Sequence, residues 1–243
     1  MPFPPQNTMA NKLLALLPSS DYEAIIRDTI YVELPRGTIL AETGKPIAKV
    51  YFLTTGIGSV IVTTAEGKRA EAGIFGFDGY IPTSAIAGVE NSSYDVLVQV
   101  AAQGYEMPYK KFRWWMDENR SFSRIMIRSI EAFSVQLAYT AVSNAIHEVT
   151  QRLARWLLMC DDRILGNEIA ITHEFLSIML AIRRPSVTTS LHVLEGLGLI
   201  KSKRGVVFIR NRHGLESYAR DAYGWPEKEY LRLMQGFRPV GDA

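Results

Sequence analysis

Residues 171–209 read ITHEFLSIMLAIRRPSVTTSLHVLEGLGLIKSKRGVVFI, and the way short apolar faces alternate with tight breaks in this stretch decides the reading of the whole chain. Thr172 can accept the backbone N–H groups that open a helix, and Phe175, Leu176, Met179 and Leu180 give that short helix an apolar face. Ala181 and Ile182 make a compact connection. Arg183, Arg184 and Pro185 then open a second helix, where proline suits the first turn because its missing N–H would be unpaired there in any case. Val187, Leu191 and Leu194 point into a core, so Arg184, Pro185, Ser186, Thr188, Thr189 and His192 are left on the opposite face. Gly196 and Gly198 stop this helix, and Leu199 to Ser202 with Val206 to Ile209 read as a hairpin around Lys203, Arg204 and Gly205.

Two short helices joined by a tight turn, with basic and hydroxyl residues at the start of the second, make a shape that enters the major groove of DNA. Arginine can grip one guanine with two hydrogen bonds, while hydroxyls and helix N-termini hold phosphates. The basic hairpin is a wing able to lie along a phosphate backbone. Net charge alone says little, since the chain carries only +2 with a pI near 8.6. Its distribution says more: residues 1–147 hold 13 Lys and Arg against 14 Asp and Glu, whereas residues 169–213 hold 7 basic residues against Glu174 and Glu195.

Upstream, Ser121 to about Asn144 contains no proline or glycine and should be one continuous helix. In it Met126, Ile130, Phe133, Leu137, Thr140 and Asn144 recur at alternating steps of four and three. That spacing fits a two-helix dimer seam, and it equally fits a helix lying on its own barrel. Tyr109 to Asn119 reads as a further helix, and His147 to Ile164 as another, with Val149, Leu153, Trp156, Leu157 and Cys160 on one face. The stretch from Asp161 to Asn167 reads as a loop, followed by a short strand from Ile169 to Ile171. From Ile30 to about Pro108 short strands (Lys49 to Thr54, Ile57 to Thr63, Tyr94 to Val100) alternate with glycines, as in an antiparallel roll or barrel.

The lone Cys160 excludes an internal disulfide, a four-thiolate zinc site and a cysteine-held iron–sulfur cluster, and it fits a reducing cytoplasm. The apolar run Leu13 to Leu17 ends at Pro18, too short to span a membrane or to serve as a well-formed signal peptide. No nucleophile with a positioned base, metal cluster or phosphate loop stands out, so an enzyme is not expected; nor is a cofactor or metal.

The span from about Asn11 to Ile209 resembles the Crp/Fnr family of regulators typified by the catabolite activator protein. The stretches that carry the resemblance are Gly44 through Gly56 to Gly58, Glu148 to Leu158, and Ile171 to Lys203. The resemblance implies an α+β chain: a cyclic-nucleotide-binding-like β-roll over residues 1–120, a dimerisation helix and hinge over 121–146, a winged helix-turn-helix over 147–213, and a helical extension over 214–243. It implies that Arg184, Pro185 and Thr189 face bases, that His173, Arg183, Ser186 and Thr188 meet phosphates, with Thr172, Lys203 and Arg204 also in the DNA interface, and that Met126, Ile130, Phe133 and Leu137 form the dimer seam. Relatives often carry an acidic residue at the position of Pro185 and arginine at that of Thr189, so the operator is expected to differ. The implied partners are double-stranded DNA bearing an inverted repeat, a second copy of the chain and RNA polymerase.

Relatives that bind cyclic AMP hold its phosphate with a Gly-Glu pair and an Arg-Ser pair, and contact adenine with a Thr-Ser pair on the long helix. Here those positions read Ile81-Pro82, Ser92-Ser93 and Leu137-Ala138, so cyclic AMP is not expected to bind. The alternative is a cyclic-nucleotide-gated regulator with an unusual pocket. Heme-sensing relatives use histidine or cysteine ligands, yet His147, His173, His192 and His213 all lie at or beyond the hinge. Tyr80, Ser92 and Ser93, with Thr83, Ser84 and Tyr94, could line a pocket for another effector or reflect ordinary turn polarity. The residues after His213 are expected to form one or two helices folded on the reader.

Overall fold

Two long strands organise the N-terminal half. The computed structural model describes residues 3–166 and 168–237. After α1 (Lys12–Ala15) and α2 (Ser19–Ile26) come β1 (Ile30–Leu34), β2 (Ile39–Ala41), β3 (Lys49–Thr63), β4 (Arg69–Phe75) and β5 (Asp95–Pro108). They form one antiparallel sheet in the order β1-β5-β3-β4, with β2 also on β5. The strands expected at Lys49 to Thr54 and Ile57 to Thr63 are thus a single strand. Register shifts between Leu53 and Gly58 bend it rather than end it, with Gly56 at φ +78°. A Cβ at Gly56 would sit 2.5 Å from the Ala101 carbonyl oxygen, so only glycine lets β3 and β5 approach here.

α3 (Tyr109–Glu118) leads into α4 (Arg120–Ile146), whose N-terminus is capped by Asn119 accepting the Phe122 N–H. α4 lies against β4. Gln136 accepts the Ile74 N–H at 2.8 Å and donates to the Ile74 carbonyl at 3.2 Å, occupying both groups of a strand residue. Phe133 stacks on Phe75 with ring centroids 4.1 Å apart, and Met126 is fully buried. Met126 and Phe133 are buried in this chain's own core, and Ile130 and Leu137 are half-buried beside them. The face of α4 that stays open is offset by one residue: Ile127, Glu131, Ser134, Ala138, Ala141 and Ala145, again at steps of four and three. Periodicity located the helix and its repeat but could not tell which of two adjacent stripes the barrel takes.

α5 (Val149–Asp161), β6 (Glu168–Ala170), α6 (His173–Met179), α7 (Arg184–Gly196), β7 (Ile200–Lys203) and β8 (Val206–Ile209) follow, with the second sheet in the order β6-β8-β7. α8 (Arg212–Ala219) packs on α5. α9 (Trp225–Met234) does not; it runs back along α4, where Arg128 donates to the Leu233 carbonyl at 3.0 Å. Apolar residues in α9 gave no indication of which neighbour they would cover. Residues 238–243 of the extension and Asn167 of the expected loop lie outside the described residues.

The barrel and the reader share one apolar core. Ile57, Ile61 and Ile74 pack in the same cluster as Leu153, Trp156, Leu157, Leu176 and Leu191. Polar pairs cross the same boundary. Trp156 donates to Glu71 at 2.7 Å, and Arg163, with only 9% of its side chain exposed, pairs with Asp78 at 2.6 Å. Arg155 donates to Thr140 on α4 at 3.1 Å.

Glu71 is buried with one carboxylate oxygen unpartnered, and burial pushes its pKa up to about 8, against the lowering effect of Ser59, Trp156, Arg155 and Arg163. The unfolded chain releases this proton near the ordinary carboxylate value of 4.5, whereas the folded chain keeps it to about 8. Folding therefore takes up a proton between those values, and the stabilisation, present below 4.5, is lost as pH rises towards 8. Glu71→Gln keeps an acceptor for Trp156 and removes this dependence. In thermal unfolding across pH 5 to 8 the variant should lose less stability than the parent, by up to a few kcal/mol at the alkaline end. Parallel profiles would contradict the assignment.

Candidate nucleic-acid interface and effector sites

The reader is built on α6 and α7. Thr172 is half-buried and caps α6 by accepting the Phe175 N–H at 3.3 Å. Between the helices Ala181 takes a left-handed φ of +51°, the local strain that makes the turn tight. Pro185 sits in the first turn of α7, and Val187, Ser190, Leu191 and Leu194 are buried beneath it. Of the face expected to be open, Arg184, Pro185, Ser186, Thr189 and His192 are exposed, with Arg183 beside them, but Thr188 is not fully so. Thr188 and His173 are half-buried and joined at 3.1 Å, while Thr188 and Thr189 each donate back to a carbonyl one turn earlier.

Glu174 is the residue that sequence reasoning passed over. It accepts from Arg184 at 2.7 Å, both side chains being well exposed. Its position on α6, ten residues before Arg184, carries no helical spacing that would have signalled the pair. An exposed pair of this kind is worth about 0.2–1 kcal/mol. Releasing Arg184 by Glu174→Gln should therefore tighten binding to DNA of any sequence by about two- to fivefold in a filter or anisotropy titration. Unchanged affinity would show that the pair survives on DNA.

On the wing, β7 and β8 meet at the turn Arg204-Gly205, where Gly205 takes φ +78°. Lys203 and Arg204 are exposed, and the Lys203 ammonium lies 5.3 Å from the Phe208 ring centroid.

The three residues expected for an effector pocket do not converge. Ser92 is buried and its hydroxyl donates to the Tyr94 carbonyl at 2.7 Å; Ser93 is exposed. Tyr80 lies elsewhere, in the core with Phe52 and Phe112. Ile81 fills the barrel interior beside Leu40, Val60 and Val96, so that a Cβ on Gly58 would fall 2.7 Å from its Cδ1. Thr83 and Tyr94 are joined hydroxyl to hydroxyl. At the hinge, His147 has both ring nitrogens engaged, by Ser143 at 3.1 Å and by Asp221 at 3.2 Å.

Among the described residues no cluster of metal-ligating side chains occurs, and no helix is long and apolar enough to cross a membrane.

Residues 31–119 match the cyclic nucleotide-binding domain family, and residues 151–218 match the Crp-like helix-turn-helix domain family. Among solved structures, a putative Crp/Fnr regulator from Eubacterium rectale is 18% identical, with a TM-score of 0.66 over 86% of this chain and 98% of that one. A CRP-family regulator from Thermus thermophilus is 18% identical at a TM-score of 0.66, covering 77% of this chain and 96% of its own. The c-di-GMP-responsive global regulator of Xanthomonas campestris is 15% identical at 0.61, covering 78% and 98%. Comparison with curated protein sequences gave no match. At these identities the solved structures speak for the fold, and the two domain matches, in this order on either side of α4, speak for the lineage. The chain belongs to the Crp/Fnr family, whose members are DNA-binding transcriptional regulators and not enzymes.

Proposed function

We propose that the chain acts in the cytoplasm as a homodimer that reads an inverted-repeat operator with α7, contacts RNA polymerase, and does not respond to cyclic AMP. The observation that carries the DNA-reading part is the exposed cluster Arg183-Arg184-Pro185-Ser186 at the N-terminus of α7, with the Lys203-Arg204 wing beyond it. Arg184 reads a guanine; Arg183, Ser186, His173, Thr188 and the wing hold phosphates; Pro185 and Thr189 make apolar base contacts. Crp/Fnr regulators act as dimers, and the open stripe of α4 is the surface on which a second copy fits, its small residues letting two helices approach. Two readers related by a two-fold axis address half-sites about one helical turn, roughly 34 Å, apart. Selection of bound sequences from a randomised library is the test: an inverted repeat is expected, and recovery of unselected sequence would refute the proposal.

The barrel supports the negative part. Where relatives hold a phosphate, this chain has a packed isoleucine and a serine already spent on a carbonyl. Calorimetric titration with cyclic AMP should give no binding heat. A micromolar dissociation constant, lost on changing Ser92 or Ser93, would overturn it.

A further inference from the structure

α9, α4 and the barrel loop before Tyr80 do not close completely on one another. Between them lies a cavity of about 210 Å³, walled by Phe75 and Tyr80 from the barrel, Ala132 and Phe133 from α4, and Tyr230 and Leu231 from α9. Ile81, which plugs the barrel interior, is not part of its wall. Pro82, Ser92, Ser93, Leu137 and Ala138, at the other positions where relatives hold a nucleotide, do not line it either, although Tyr80 and Thr83 on either side of the Ile81-Pro82 pair do, and one of its walls comes from the C-terminal extension.

Two hydroxyls in this wall have no partner. The phenol oxygens of Tyr80 and Tyr230 are both buried and neither makes a hydrogen bond, which leaves two desolvated donors at one cavity. Burial raises the pKa of both, so each keeps its proton and can donate. Lys12 lines the same cavity. Its ammonium lies 5.6 Å from the Tyr230 ring centroid and, among the described residues, has no carboxylate within ion-pair distance. Asp78, Asp162 and Glu227 also line the cavity, each already engaged: Asp78 by Arg163 and the Gly76 N–H, Asp162 by Arg212 and Tyr223, Glu227 by the Gly224 N–H. What the wall offers a guest is therefore two O–H donors, one ammonium and aromatic surface.

We propose that this junction is an effector site for a small organic carboxylate with a compact apolar body, the carboxylate taking the Tyr80 and Tyr230 hydroxyls near Lys12 and the body resting on Phe75 and Phe133. Size agrees: an apolar protein cavity of about 150 Å³ accepts a benzene ring, so this one has room for a ring bearing a carboxylate. Because α9 continues from the reader, and Arg163 in the same wall ties α5 to the barrel, a guest here bridges the reader to the effector half. Calling the guest an effector rests on the regulator reading above; its binding does not.

Benzoate, benzamide and benzylamine serve as matched probes, titrated calorimetrically into the full-length protein without DNA. Benzoate should bind once per protomer with a dissociation constant below about 1 mM, and the amide and amine at least about tenfold more weakly. Tyr80→Phe and Tyr230→Phe should each weaken benzoate by about ten- to a hundredfold, the size of a hydrogen bond to a charged group, while melting no lower than the parent, since each removes an unpartnered hydroxyl. Leu231→Trp, at the exposed mouth, should exclude benzoate without entering the core. No benzoate heat, equal binding of benzylamine, or benzoate affinity unmoved in both tyrosine variants would overturn the site. Operator binding without any probe tests the regulator reading separately.

Discussion

Replacing Arg184 with alanine should weaken binding to the selected inverted repeat by about 2 to 6 kcal/mol per dimer, because a two-pronged guanine contact worth about 1 to 3 kcal/mol disappears from each half-site. Preference at one base-pair position in each half should relax at the same time. In the free protein the Arg184 guanidinium is paired with Glu174, and giving up that pair offsets part of the contact, so the measured loss is the net of the two. The variant also leaves Glu174 facing DNA without its cation. Comparing Arg184→Ala with Glu174→Gln and the double variant separates repulsion by Glu174 from loss of the base contact. Lys203→Ala should behave differently, lowering affinity for all sequences alike and flattening the slope of log K against log salt by about one. If Arg184→Ala keeps the base preference and changes only the salt slope, Arg184 is a phosphate clamp.

An equally large effect is expected from the open face of α4. Ala138→Glu with Ala141→Glu places two charges where a second copy would pack, and both positions are exposed in the protomer. The variant should be monomeric by light scattering, melt close to the value of a protomer with its core intact, and bind the inverted repeat about 10²–10⁴-fold more weakly, since the second half-site is no longer bound intramolecularly. Charges at Ile130 and Phe133 would be the wrong experiment. Phe133 is 8% exposed and stacked on Phe75, so an aspartate there damages the barrel–helix core whatever the oligomeric state. A double glutamate variant that stays dimeric would move the interface elsewhere.

The reader was legible in the sequence because its signals are local. A capping threonine, a proline in the first helical turn and glycines at the turns each act within a few residues, and α6, α7 and the wing form where those residues ask for them. The barrel was legible in kind but not in detail: Gly56 looked like a strand end, yet it marks a bend that β5 stabilises from about 45 residues away in the chain. The least legible parts depend on contacts between distant segments. Which stripe of α4 faces the barrel is settled by Gln136 meeting Ile74 and Phe133 meeting Phe75, and the docking of α9 on α4 by Arg128 meeting Leu233. Tyr80 and Thr83 were singled out together for their polarity and do line one cavity, but nothing in the sequence indicated that Lys12 and Tyr230, from the two ends of the chain, line it with them.

The apolar core shared by barrel and reader has a thermal consequence. Lifting the reader off would expose Ile57, Ile61 and Ile74 together with the faces of Trp156 and Leu176 to water, and exposure of apolar surface raises heat capacity. The equilibrium between docked and lifted readers is therefore curved in temperature. The apolar share of docking weakens on cooling, while the Arg163–Asp78 and Trp156–Glu71 pairs lack the large apolar heat-capacity term. In the cold the two halves are held together increasingly by their polar pairs, so a regulator built on this joint has temperature written into the freedom of its reader, before any ligand is considered.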